Sequence, residues 1–182
     1  MEACENYVKQ TLRNRCWIDS PNGPLALTIP VEKTDSRHIR DIRISDHGNW
    51  RHQHWNAFES TYRNAPYYEY LADDFRPFYE QRWTYLFDYN EALIHRCCEL
   101  IGIHPQLRHT EQFCGPSATD GKQERPPERV ADDGSGTDEV TYYQVFALRH
   151  GFLPNLSIID LIFNMGPESI LVLKQYQSTS GS

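Results

Sequence analysis

The stretch HQHWNAFESTYRNAPYYEYLADDF, residues 52–75, gathers two histidines, a tryptophan, four tyrosines and two phenylalanines among amides and charges. Such residues can ligate a metal, hold a ring-shaped ligand or build core. Spacing tests the metal reading. The eight histidines are His38, His47, His52, His54, His95, His104, His109 and His150. No two stand three or four apart, the spacing that puts two ligands on one helix face. The five cysteines, Cys4, Cys16, Cys97, Cys98 and Cys114, are odd in number, contain no C-x-x-C and include two neighbours. They read as reduced thiols, neither a disulfide framework nor a zinc pattern. The chain has no G-x-x-x-x-G-K-[ST], no G-x-G-x-x-G and no G-x-S-x-G, and Gly134-Ser-Gly136 lies in an acidic loop. No metal and no cofactor are therefore expected.

The ring-binding reading has more behind it. Fourteen of the 23 aromatic residues fall between Trp50 and Tyr89. A core stripe needs some of them, but buried tyrosine hydroxyls want polar partners. Tyrosines interleaved with Asn64, Glu69 and Asp73 suit a pocket that stacks on a ring and hydrogen-bonds its edge. Sugars and nucleotides both fit, and so does core with a wet rim. In the pocket reading Trp55, Tyr62 and Tyr67 line the site and Asn64 contacts the ligand. His54 is the first candidate general base and His150 the second, because a neutral imidazole accepts a proton near neutral pH. If residues 6–18 are extended, Lys9, Arg13 and Arg15 share one face. Three cations in a row call for something anionic opposite. Asp41 and Asp46 would serve, and so would the phosphate or carboxylate of a small-molecule substrate, such as a nucleotide sugar or an activated acyl donor.

These residues need a scaffold. The chain of 182 residues is 39% hydrophobic and 24% charged, which suits one domain, 1–182, with a real core. A formal charge of −7 argues against nucleic-acid binding. No stretch has the ~20 apolar residues of a membrane span. The opening MEACENYVKQ has neither a basic n-region nor an apolar h-region, so a cytoplasmic location is expected.

Asn22-Gly23 predicts a hairpin between NYVKQTLRNRCWI and LALTIPV, with Pro30 marking an edge. RDIRIS predicts a third short strand and YYQVFA another. A helix capped by Asn49 carries Trp55, Phe58 and Tyr62 and breaks at Pro66. The longest helix is predicted over 82–102, ending at Gly102, with Asn90 inside its apolar stripe. PNLSIIDLIFNMGPESILVL predicts two helices broken at Gly166-Pro167. Residues 115–140, rich in Gly, Pro, Ser and Asp, read as a mobile loop. The expected fold class is α+β, a small, mostly antiparallel sheet covered by helices.

The runs KQTLRNRCWI, LTIPVEK, HWNAFESTYRNAPYYEYLADDFRPFYE and PNLSIIDLIFNMGPE resemble the WbqC-like family, over nearly the whole chain apart from that loop. Members are bacterial and associated with O-antigen gene clusters, with a glycine-transferase role suggested for one. The resemblance implies a pathway more firmly than a reaction: a transferase of surface-polysaccharide biosynthesis acting on a sugar-linked or aminoacyl-type donor. A non-catalytic binding or assembly protein of the same pathway is the alternative. The chain departs from the family pattern at its start, where members carry an additional segment before the Y-x-K-Q-T run that begins here at Tyr7.

Overall fold

The computed structural model describes residues 3–110 and 140–179. All of the predicted loop except Val140 lies outside the described residues, as does Gly134-Ser-Gly136.

Two strands, β1 (Arg15–Ser20) and β2 (Gly23–Thr28), form an antiparallel hairpin pairing Arg15 with Thr28 and Ser20 with Gly23. The turn is centred one residue earlier than expected, on Pro21-Asn22. Gly23 follows at φ 97°, a backbone conformation that an L side chain rarely adopts. The strand also starts later than expected. Residues 9–14 form turns, with Gln10 at φ 58°. Side chains compete there with strand pairing: Thr11 Oγ1 donates to the Val8 carbonyl at 2.8 Å, and Asn14 Oδ1 accepts from Gln10 N at 3.1 Å. Asn14 Nδ2 then donates to the Ile29 carbonyl at 3.0 Å, fastening this turn to the end of β2.

The expected third strand is replaced by a 3₁₀ turn at Ile39–Asp41 and two single bridges, Val31 with Ile44 and Arg43 with Tyr85. Ile42 and Ile44 are nonetheless buried. YYQVFA is not a strand either. Residues 140–144 have no sheet neighbour, and the chain then turns into a single helical turn, α4 (Ala147–His150).

Three longer helices precede it: α1 (Trp50–Tyr62), α2 (Tyr68–Glu80) and α3 (Leu86–Leu100). Asn49 stands at the start of α1, but in a left-handed conformation and with no side-chain capping bond. The break around Pro66 is where the sequence predicts it. Ala65 N bonds back to the Tyr62 carbonyl, and Tyr67 N crosses to the Phe163 carbonyl at 3.0 Å. Helix α3 starts four residues later than expected. Its end follows the prediction: Gly102, at φ 75°, and Ile103 donate to the carbonyls of Glu99 and Cys98, a Schellman closure. Asn90 is half-buried and finds its partner in the Arg13 carbonyl, at 2.8 Å. Then come α5 (Ile158–Met165), a 3₁₀ turn at Gly166–Glu168 and α6 (Ser169–Thr179), the predicted break included.

The architecture is α+β, a two-stranded antiparallel sheet with helices packed around it, as expected. Its core is aromatic. The ring of Phe163 in α5 lies 5.0–5.2 Å from those of Tyr62, Tyr68 and Phe75. Trp50, His54, Tyr79 and Tyr89 form a second group. Of the four tyrosines in residues 52–75, Tyr62 and Tyr68 are thus core, Tyr67 is half-buried and Tyr70 is exposed. No helix among the described residues is long and apolar enough to cross a membrane.

Candidate functional site

Buried polar side chains converge where the end of β1 meets α1, α5 and residues 142–153. The last three residues of β1, Ile18, Asp19 and Ser20, are all buried, and Asp19 is 1% exposed. Ser157 caps α5, accepting from Ile159 N, and so sets Asp160 in the first turn with no exposure at all. Tyr62 of α1 donates to Asp160 Oδ1 at 2.7 Å, and Tyr142 donates to Oδ2 at 2.8 Å. Burial pushes the Asp160 carboxyl up to about 6, against the pull of the two phenols, and the charge of Asp19 pushes the same way. Gln144, 2% exposed, holds Leu153 through both its amide atoms at 2.9 Å, closing the 144–153 segment that carries α4.

Helix α4 delivers His150. Its Nε2 lies 3.2 Å from Asp19 Oδ1 and 3.4 Å from the Ser20 carbonyl. Both neighbours are acceptors, so in the neutral imidazole the proton sits on Nε2 and the lone pair on Nδ1. Nδ1 is buried and has no partner. The side chain as a whole is 22% exposed. Asp19 is raised by burial, opposed by the imidazole and the Phe146 backbone. Neither of its oxygens completes a well-formed hydrogen bond. The imidazole thus has a buried carboxylate 3.2 Å from one nitrogen and no partner at the other.

The predicted site residues are scattered by the fold. His54 sits in the core, 7% exposed, with its ring 5.1 Å from that of Trp50. Burial lowers its pKa to about 4, against a hydrogen bond with the Thr28 backbone. Tyr62, 1% exposed, serves Asp160 rather than a pocket wall. Tyr67 is half-buried against Gly166, where a Cβ would run into its ring. Trp55 is half-buried under the Arg76 guanidinium, 4.9 Å from the ring centre. Asn64 is exposed. The shared cationic face does not form, because β1 begins only at Arg15. Lys9 is exposed in the preceding turn, and Arg13 is paired through Nε and Nη2 with Glu5 rather than with Asp41 or Asp46. Arg15 Nε donates to Thr28 Oγ1 at 2.9 Å. Of the nine predicted residues, only His150 and Tyr62 reach the buried constellation.

Asp19, Asp160, Tyr142 and Gln144 were missed. Asp160 had a signal, a lone carboxylate inside the apolar run SIIDLIF. Asp19 had none, since an aspartate before a Pro-Asn-Gly turn reads as turn chemistry. Among the described residues no group of three His, Cys, Asp or Glu side chains is placed to hold a metal ion.

Comparison with known proteins gives two positive findings. The profile of the WbqC-like protein family matches residues 1–132. An uncharacterised protein of Mycobacterium tuberculosis, Rv1507c, is 30% identical over 189 aligned residues, covering 90% of this chain and 81% of the relative. No solved structure matches significantly. The profile match takes in Asp19 and all of α1–α3, more than half of the sequence, and on that ground the chain belongs to the WbqC-like protein family.

Proposed function

We propose that this chain is a transferase of bacterial surface-polysaccharide biosynthesis, acting in the cytoplasm, with His150 as general base and Asp19 as the carboxylate that orients it. The observation that carries the proposal is the 3.2 Å approach of His150 Nε2 to a carboxylate that is 1% exposed, with Nδ1 left unpartnered. In the reaction an acceptor hydroxyl or amine gives its proton to Nδ1. Its heteroatom bonds to the electrophilic carbon of an activated aminoacyl or sugar-linked donor, and the leaving group departs with the bonding electrons. Nδ1 is covered in the structure, so on this reading the four-residue α4 moves when the acceptor binds. Removing a general base costs about 10²–10⁴-fold in rate.

The test has two stages. A thermal-shift screen against nucleotide sugars, nucleotides and aminoacyl donors identifies what binds, since a ligand raises stability by RT ln(1 + [L]/Kd). Mass spectrometry then follows product formation from the donors that bind, using wild type and His150→Gln. The expected result is turnover by wild type and at least a hundredfold loss in the variant, with the ligand-induced thermal shift retained. Turnover undiminished in His150→Gln would refute the assignment. Binding without product in wild type would make the chain a binding protein of the pathway.

A further inference from the structure

Of residues 142–153, the segment that carries His150, only Gln144 is buried. Its amide is satisfied from inside the segment: Oε1 accepts from Leu153 N and Nε2 donates to the Leu153 carbonyl, both at 2.9 Å. Beside that clamp the rings of Tyr142 and Phe152 meet edge to face at 5.3 Å. Helix α4, at the tip, buries no side chain; Leu148 on it is fully exposed, and Gly151 follows at φ 80°. The segment is thus closed on itself and has little apolar surface to hold it to the body, which marks a unit of low local stability. Its tip meets the body through His150, at Asp19 and the Ser20 carbonyl.

We propose that residues 142–153 form a gate over Asp19 that opens as one unit by local unfolding, and that the charge of Asp19 drives the opening. Asp19 is 1% exposed, its two oxygens lack well-formed hydrogen bonds, and its basic neighbour is the imidazole 3.2 Å away. Asp160 of α5, held by Tyr62 of α1 and by Tyr142, adds a second acid to the same interior. Two ionised carboxylates against one imidazole leave net negative charge even when His150 is protonated. Such a charge is better solvated with the gate open. The Asp19 carboxyl agrees: burial raises its pKa, and His150 and the Phe146 backbone offset only part of the rise. The closed gate therefore holds a proton on Asp19 more tightly than the open one, and opening is favoured as pH rises. Because Asp19 belongs to the body and His150 to the gate, opening admits a ligand and closure assembles the pair. That consequence rests on the reading of His150 and Asp19 given above; the gate itself does not.

Hydrogen exchange of the full chain without substrate tests the gate separately from any turnover. NMR gives protection factors corrected for the intrinsic exchange rate at each pH. The amides of Arg149, His150, Gly151 and Leu153 all bond within the segment. They should share one protection factor, about tenfold or more below those of α1 and α5. Asp19→Asn should raise it about threefold or more at pH 7.5. In wild type, an arm that needs no variant, it should fall about threefold or more between pH 5 and pH 7.5, and it should fall less in Asp19→Asn. Protection equal to that of α1 overturns the gate, since the segment then opens only with the whole molecule. A wild-type value level with pH, or one that Asp19→Asn leaves unchanged, overturns the role of charge. Protection lowered by Asp19→Asn overturns it as well, making the carboxylate the catch that holds the segment shut.

Discussion

The burial of His54 makes an unusually clean pH experiment. Its pKa is about 4 in the folded chain, against about 6.5 when exposed to water. The folded state therefore binds the proton more weakly than the unfolded state. The stability contributed by the neutral imidazole is fully present above about pH 6.5 and is lost as pH falls through about 4. At 1.36 kcal/mol per pKa unit, linkage gives a loss of about 2 kcal/mol by pH 5 and about 3 kcal/mol by pH 4, relative to pH 7. Other groups titrate over the same range, so the useful quantity is a difference. Urea unfolding of wild type and of His54→Phe, followed by circular dichroism at several pH values, gives the stability of each. Whatever the substitution costs at pH 7, wild type minus variant should fall by about 3 kcal/mol by pH 4. A difference that is flat with pH would show that His54 titrates as a solvated imidazole. That would refute its place in the core and return it to candidacy as a general base.

Two further substitutions probe the constellation and its support. Tyr62→Phe removes a 2.7 Å hydrogen bond to a fully buried carboxylate and should cost about 1.5–3 kcal/mol. Asp160 is charged chiefly above about pH 6, so that cost should be larger at pH 7.5 than at pH 5, and a pH-independent cost would mean that the carboxyl does not change its charge between those two values. Gly166→Ala places a methyl against the Tyr67 ring at a φ of 53° and should cost about 2–4 kcal/mol, read as a drop in melting temperature. Introducing Tyr67→Ala as well should recover part of that loss, and a neutral Gly166→Ala would show that the close approach is not structural.

Much of the framework was legible because it is decided within a few residues. Pro66 ends α1 by excluding helical geometry before it. Gly166-Pro167 divides α5 from α6, and Gly102 closes α3 with a left-handed residue. The hairpin was legible too, although a proline preset for the turn moved its centre from Asn22-Gly23 to Pro21-Asn22. The family was legible in long uninterrupted runs such as HWNAFESTYRNAPYYEYLADDF. Strand extent was less so. Period-2 alternation over residues 6–18 satisfied the pattern, but the side-chain bonds of Thr11 and Asn14 gave the backbone a better local alternative.

The candidate site belongs to the other category. Tyr62 and Asp160 are 98 residues apart in the chain, and His150 and Ser20 are 130 apart. No local rule brings them together. His54 and His150 are equivalent as residue types, and both sit among aromatics in the sequence. One was withdrawn into an aromatic core by the helical phase of α1, and the other was carried by a single turn of helix against a buried carboxylate. A proton acceptor is defined by what faces each ring nitrogen and by how much water remains nearby. Both are set by packing between distant segments, so the tertiary structure alone decided that His54 lies among core rings and that His150 lies beside a buried carboxylate.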